Sequence, residues 1–226
     1  MKRALLLLSL LCIPTAFLVD IAPVSGSERP TAAVQELTAR ADAGDPDAQF
    51  ELGVRHATGD GVAEDLELAV RLYRRAAEQG HARAQINLGL SYANGEGVAQ
   101  DHVEAARWYR EPAEAGYPRA QFNLGLCYAL GNGVPEDADE AHRWYRKAAE
   151  QGLAEAQNNL GTCLADGKGT PRDRVEAHAW YTVAAANGDA LAASNKACLS
   201  RSLTPAELTW SQRRSLSLRE ELAADE

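Results

Sequence analysis

The side chains in this sequence that could act as nucleophiles, bases or metal ligands are few and widely spaced. A metal site on one helix needs two histidines three or four residues apart, and no two of the five histidines have that spacing. They are His56, His81, His102, His142 and His178. No Ser-x-x-Lys motif is present, which removes the usual serine acylation pattern of penicillin-recognising enzymes. The sequence therefore predicts no catalytic site, no metal and no cofactor.

Three cysteines follow residue 26, and two of them are separated by an interval that recurs along the chain. Cys127 and Cys163 are 36 residues apart, and Cys198 follows them. Equivalent positions on neighbouring helices lie further apart than the roughly 7 Å between Cα atoms that a disulfide tolerates. We therefore interpret Cys127 and Cys163 as small residues of a core or a groove. Whether any of the three thiols forms a disulfide stays open.

The interval of 36 residues defines four tandem units. When the sequence is shifted by 36, the Ala, Leu-Gly, Gly-x-Gly, Asp and Tyr positions of residues 117–152 coincide with those of 45–80, 81–116 and 153–188. In each unit Ala and then Leu follow a helical spacing, and a Gly-x-Gly turn leads to an Asp that can cap a second helix. One such unit cannot bury its apolar face alone, so the units are expected to stack. The fold predicted is an all-α solenoid of helix-turn-helix repeats.

Atypical segments flank the four units and are predicted to cap the stack. Residues 27–44 contain a helix with Ala33, Leu37 and Ala41 on one face. Residues 189–226 contain a partial fifth repeat and a closing helix over residues 205–222, which we expect to cover the open end of the stack. The apolar contacts predicted for this closing helix are Leu208, Leu216, Leu222 and Trp210.

Pro112 departs from the pattern of the second helices. It replaces the alanine found at Ala76, Ala148 and Ala184. Proline lacks an N–H and collides with the carbonyl four residues earlier. The sequence predicts a kink or an early helix end at this residue.

The first 26 residues have the parts of a secretory signal peptide. Lys2 and Arg3 precede an apolar run over residues 4–13, and Pro14 and small residues follow it. The run is too short for a membrane span, which needs about 20 apolar residues. We therefore predict a periplasmic or secreted, monomeric protein with no stable membrane span in the mature chain.

The net charge of −9 limits the classes of partner. Nucleic-acid affinity depends on neutralising phosphates, so the charge argues against a nucleic-acid binder. A protein or peptide with a cationic surface is the more favourable partner.

The repeats resemble a known family. The units that contain AQINLGLSYANGEGVAQD, AQFNLGLCYALGNGVPED and AQNNLGTCLADGKGTPRD are similar to Sel-one-like repeats, a branch of the tetratricopeptide-like helical solenoids. The resemblance implies a right-handed superhelix of helix pairs that acts as an adaptor or scaffold, often in exported bacterial proteins, and not as an enzyme. Some cysteine-rich members have been linked to β-lactam binding or hydrolysis, which gives the alternative function.

The resemblance also predicts where a partner binds. In tetratricopeptide-like solenoids the first helices line the concave side, so outward residues four apart on these helices would form ladders across the units. We hypothesise that a row of asparagine amides, with arginines beside it, binds an extended peptide. The alternative is that these asparagines only contact the next helix. The candidate residues are Arg83, Asn87, Ser91, Arg119, Asn123, Cys127, Asn159 and Cys163.

Overall fold

The computed structural model of the protein describes residues 31–224, and every regular element in that range is an α-helix. The helices are α1 (Ala32–Asp42), α2 (Pro46–Thr58), α3 (Leu66–Ala77), α4 (Ala82–Asn94), α5 (His102–Glu114), α6 (Pro118–Leu130), α7 (Ala138–Glu150), α8 (Ala154–Asp166), α9 (Arg174–Ala186), α10 (Ala190–Ser200) and α11 (Pro205–Ala224). In each repeat the first helix packs on the second, and each second helix also packs on the next first helix. The predicted all-α solenoid is confirmed.

The structure bears on the predicted export and membrane features only within the described range. The predicted signal peptide, residues 1–26, lies outside it. Within residues 31–224, no helix combines the length and the apolar character that crossing a bilayer requires.

The helix ends follow from the repeated Asp and Gly residues. Asp101 caps α5, because its Oδ1 accepts from the backbone N–H groups of Val103 and Glu104 at 2.9 and 3.1 Å. Gly95 ends α4 at φ +76°, in the left-handed region that glycine adopts without strain, and its N–H donates to the Ser91 carbonyl. The same two caps recur in the third and fourth repeats. They hold the period at 36 residues.

The glycine of each Leu-Gly pair on a first helix packs against a tyrosine of the second helix in the same repeat. A Cβ added to Gly89 would lie 2.5 Å from Cε1 of the buried Tyr109 ring. A real Cβ does not approach that closely, so only glycine allows the second helix to pack at this distance. Glycine and tyrosine make the same contact in the other repeats, at Gly53 with Tyr73, Gly125 with Tyr145 and Gly161 with Tyr181.

A buried glutamine in each first helix binds the preceding helix. Gln121 Nε2 donates to the Ala113 carbonyl at 3.1 Å, and Gln121 Oε1 accepts from Gln151 Nε2 at 2.7 Å. The amide is thus a second donor to a carbonyl at the end of α5, which also accepts from the Gly116 N–H at 3.2 Å. The equivalent Gln49, Gln85 and Gln157 donate to the carbonyls of Ala41, Ala77 and Ala149.

Pro112 does not end its helix early, so the prediction of an early helix end is wrong. Helix α5 continues to Glu114, which is the register at which α7 ends at Glu150. Pro112 lies in the last turn, where its missing N–H removes a single intrahelical bond, and its ring is fully buried. Its carbonyl accepts from the Tyr117 N–H at 3.0 Å, which closes the helix end. The kink stays a prediction.

The helix that precedes the repeats presents a different face from the one predicted. Val34 and Ala41 are buried and Leu37 is half-buried, whereas Ala33 is exposed. Thr31 caps α1 by accepting from the Val34 N–H. Alanine at position 33 offers little surface to bury, so the larger Val34 forms the contact with the first repeat.

The closing helix exists, but two of its predicted contacts are wrong. Trp210 and Leu216 are 66% and 59% exposed. Helix α11 instead buries Ser211, Ser215 and Leu218, a helical spacing whose small residues allow close approach.

The closing helix also covers a different surface from the one expected. Helix α11 packs on α9, the last complete second helix, and not across the outer side of α10. Leu191 on α10 is accordingly 58% exposed. The end of the stack therefore stays open at α10.

His178 joins α9 to both C-terminal helices. Its ring is buried, with Nδ1 2.5 Å from Ser211 Oγ and Nε2 2.8 Å from Ser200 Oγ. Ser200 donates its own hydroxyl proton to the Lys196 carbonyl, so it accepts from the Nε2–H. Burial, and next the charge of Lys196, lower the pKa of His178.

We expect the docking of α11 to weaken in mild acid. A histidine whose pKa is lower in the folded state stabilises the fold above its unfolded pKa of about 6.5, and this contribution is lost as the pH falls towards the folded value. The free energy of unfolding should fall by up to about 1.4 kcal/mol per pH unit in that window. Denaturant titrations followed by circular dichroism between about pH 7.5 and 5.5 measure it. A His178→Gln variant with an unchanged slope would show that another group is responsible.

Candidate functional site

The predicted site residues all lie on the first helices, but at different depths. Two are exposed, Arg83 and Arg119. Three are half-buried, Asn87, Asn123 and Asn159. Three are buried, Ser91, Cys127 and Cys163. Each ladder therefore descends from the surface into the core.

Neighbouring first helices bring equivalent positions together. Arg119 Nη1 lies 3.1 Å from Glu155 Oε1, and these residues hold the same place in successive repeats. At the next boundary Asn195, which is equivalent to Asn159, donates from Nδ2 to Oδ1 of the adjacent Asn158 at 2.9 Å. Side chains of successive first helices thus meet at these two boundaries.

The asparagine row lies close to tyrosines of the preceding repeats. The Tyr73 hydroxyl lies near Asn87 and the Tyr145 hydroxyl near Asn159, and each amide lowers the pKa of its tyrosine. Burial is the larger effect and raises the pKa of Tyr73 to about 12, so the hydroxyl is neutral. The alternative, that the asparagines contact a neighbouring helix, therefore has support at these two positions. An asparagine amide has two donors and an acceptor, so one hydroxyl does not use its full capacity.

The buried end of each predicted ladder offers little surface to a partner. Ser91, Cys127 and Cys163 are 7%, 7% and 9% exposed. Desolvation raises the pKa of both thiols to about 11. They are protonated at neutral pH and are poor nucleophiles. Their small size suits the positions where α4, α6 and α8 pack on their neighbours.

Leucines that the sequence reasoning missed lie beside the asparagine row. Leu90 is three residues after Asn87 and is 37% exposed. Leu126 is three residues after Asn123 and half-buried, and Leu130 follows at 42% exposed. Continuing the helical spacing beyond each asparagine would have found them. We call Arg83, Asn87, Leu90 and the equivalent Arg119, Asn123 and Leu126 the first-helix face.

The first-helix face begins at a depression between α2 and α4. The Arg83 guanidinium lies 5.8 Å from the centre of the Phe50 ring, and the His81 ring stacks on the same phenylalanine at 4.7 Å. His81 Nε2 is 3.2 Å from Asp47 Oδ1. The depression has a volume of about 300 Å³. Its aromatic floor and mixed charges suit a side chain of a bound segment.

Metal ligands are not assembled anywhere in residues 31–224. No group of three or more His, Cys, Asp or Glu side chains in that part of the chain could hold an ion. The first-helix face carries amides, partly exposed leucines and arginines, which can bind a ligand through hydrogen bonds, apolar contacts and charge.

Comparisons with known proteins agree with this architecture. The family model described as Sel1 repeat matches residues 46–81, 82–117, 118–153 and 154–189, each one residue later than the predicted units. No curated protein matches the chain.

Two solved structures have similar folds and sequences. One is a protective antigen present in uropathogenic Escherichia coli strains that displays an SLR fold, with 40% identity and a TM-score of 0.72. The other is a Sel1 repeat protein from Oxalobacter formigenes, with 40% identity and a TM-score of 0.67.

The extent of these matches is unequal. The first covers 81% of this chain and 40% of the antigen, and the second covers 71% of this chain and 66% of the Oxalobacter protein. This chain therefore spans less than two thirds of the length of either relative. The four matched repeats, however, cover more than half of this chain, and it belongs to the Sel1 repeat family.

Proposed function

We propose that this protein is an exported interaction scaffold that binds an extended protein or peptide segment along the first-helix face. Sel1 repeat proteins are generally protein-interaction scaffolds. The single observation that carries the proposal is the row of half-buried amides at Asn87, Asn123 and Asn159, placed one repeat apart, with a partly exposed leucine three residues after each of the first two. In peptide recognition, amides form hydrogen bonds with the peptide backbone, and apolar residues such as leucine contact the peptide side chains.

The charges of the face support an extended segment as the ligand. Arg119 pairs with Glu155, and Asp47 lies beside His81, so charge on this face is largely balanced. Among residues 31–224, Arg83 has no carboxylate within ion-pairing distance and lies over Phe50. A segment that passes Arg83 can add a carboxylate or a carbonyl there without breaking an existing ion pair.

Export is the second part of the proposal, and it rests on residues 1–26. Lys2, Arg3 and the apolar run at 4–13 form the signal pattern. A periplasmic or secreted scaffold would meet its partner outside the cytoplasm. The β-lactam alternative receives no support from the buried, protonated thiols of Cys127 and Cys163.

Peptide selection tests the binding face. Peptides selected from a random displayed library against the wild-type protein should bind the Asn87→Ala/Asn123→Ala variant about tenfold more weakly, because two backbone-directed amides are lost. Fluorescence anisotropy of labelled selected peptides gives the dissociation constants. Circular dichroism of the variant must show a native helix content, since Asn87 also contacts Tyr73.

Arg213→Ala/Arg219→Ala provides the matched control, because both arginines are exposed on α11 and lie outside the first-helix face. That variant should bind the selected peptides with wild-type affinity. Equal affinities for the asparagine variant and the wild type would remove the first-helix face as the site.

A further inference from the structure

The second helices carry two rows of arginines that the peptide-binding proposal does not use. The equivalent positions of the first three repeats are all arginine, in one row at Arg71, Arg107 and Arg143 and in a second row at Arg74, Arg110 and Arg146. In the fourth repeat these positions are Ala179 and Thr182. We call the six arginines the arginine band.

The arginine band faces away from the rest of the stack. Helix α5 buries Ala105, Tyr109 and Ala113 towards the first helices, while Arg107 and Arg110 on its opposite side are exposed. Since α3, α5 and α7 share one register, their arginines form three rungs across one surface. This surface is separate from the first-helix face.

Two of the six arginines are half-buried, because Arg74 donates to the Tyr92 hydroxyl and Arg146 lies against the His142 ring. The other four are exposed and available to a ligand, namely Arg71, Arg107, Arg110 and Arg143.

Arg107 and Arg143 pair with Glu104 and Glu140 one turn earlier, at 3.2 and 2.8 Å. Exposed pairs of this kind contribute about 1 kcal/mol or less. Arg110 and Arg71 make no ion pair with any residue between 31 and 224.

Carboxylates border the band and make it narrow. Glu78, Glu114 and Glu150 follow the second row by four residues, about 6 Å along each helix. Glu104 and Glu140 precede the first row by three residues. A wide polyanion such as a nucleic-acid duplex or an anionic membrane would meet these glutamates as well as the arginines. A single extended chain would meet only the arginines.

The band ends where the protein covers its own surface. Helix α11 packs on α9, and Ala179 there is fully buried. Arginine at position 179 would be buried by this contact without a place for its charge. The arginines therefore occupy the second helices that α11 leaves uncovered.

We propose that the arginine band binds a short, extended acidic segment of a partner protein. The second helices of successive repeats pack on the first helix between them rather than on each other, so their rungs are further apart than the roughly 10 Å of two packed helices. An extended chain advances about 3.3 Å per residue, so carboxylates about four residues apart can each meet a different rung. Three such carboxylates match the three rungs.

Synthetic peptides of equal charge test the match. One labelled decapeptide carries three glutamates, one at every fourth position, in a glycine and serine background, and the other carries the same glutamates side by side. In low-salt buffer, fluorescence anisotropy should show about tenfold tighter binding of the spaced peptide to the full chain. Arg71→Gln/Arg110→Gln, which changes two exposed side chains, should remove this preference, whereas Asn87→Ala/Asn123→Ala should retain it.

Several results would overturn the proposal. They are equal binding of the two peptides, tighter binding of duplex DNA or phosphatidylserine vesicles than of the spaced peptide, and an absence of binding by the wild-type protein. Because the asparagine variant is measured with the same peptides, failure here is distinct from failure of the first-helix face.

Discussion

Gly97→Ala should destabilise the protein by more than about 3 kcal/mol, the range of severe core and backbone defects. Gly97 has φ +68°, which strains any residue with a Cβ by about 1 to 2 kcal/mol. A Cβ there would also overlap the carbonyl of Leu66, the first residue of α3. The Leu66 carbonyl belongs to the backbone and cannot rotate away as a side chain does, so the first and second repeats would have to move apart. Guanidinium titration followed by circular dichroism and tryptophan fluorescence measures the loss.

Gly61→Ala is the matched control for this substitution. Gly61 holds the same place in the first repeat and has the same φ of +68°, but no second helix of an earlier repeat lies against it. The nearest atom to an added Cβ is 3.7 Å away, on Val34. The strain alone should cost about 1 to 2 kcal/mol. Equal losses in the two variants would show that the contact between repeats adds nothing beyond the turn.

Gln121→Leu should cost about 1 to 2 kcal/mol, although leucine is similar in size and more apolar. The substitution removes the hydrogen bonds of Gln121 with the Ala113 carbonyl and with Gln151 Nε2. The carbonyl still accepts from the Gly116 N–H, and Gln151 Nε2 still donates to the Lys147 carbonyl. Each lost hydrogen bond costs about 0.5 to 1.5 kcal/mol, and we expect the two losses together to exceed the gain from an apolar side chain. Thermal and denaturant unfolding measure the change.

A second substitution separates the two hydrogen bonds of Gln121. Gln151→Ala removes only the bond between side chains, and in the second repeat the equivalent position is already Ala115. We expect this change to cost less than about 1 kcal/mol. The double variant should lose less than the sum of the two single losses. A neutral Gln121→Leu variant would contradict a role for the buried amide in joining the repeats.

The sequence predicted the frame of the solenoid well because the frame depends on local rules. Asp101 caps a helix through its own neighbours, and Gly95 ends one through its own φ, so each signal is readable within a few residues. The same rules failed at Pro112. Sequence rules for helices consider only the N–H that proline lacks, whereas the burial of Pro112 in the last turn depends on tertiary packing.

The sequence predicted which side of the first helices carries the candidate site, but not how deeply each residue is buried. Helical spacing placed Arg83, Asn87 and Ser91 on one side of α4, which is correct. Spacing does not say how closely the neighbouring helices approach, and their approach buries Ser91. The Tyr73 hydroxyl on Asn87 was equally unpredictable, because the two residues belong to different repeats.

By itself the sequence determined the repeat length, the helical class and the residues that start and end each helix, since these depend on contacts within a few positions. The tertiary structure decided which surfaces remain free. It placed α11 on α9, exposed Trp210 and Leu216, and left α10 open. Such outcomes depend on how well whole helix faces fit each other, because burial is a property of two packed surfaces and periodicity describes only one of them.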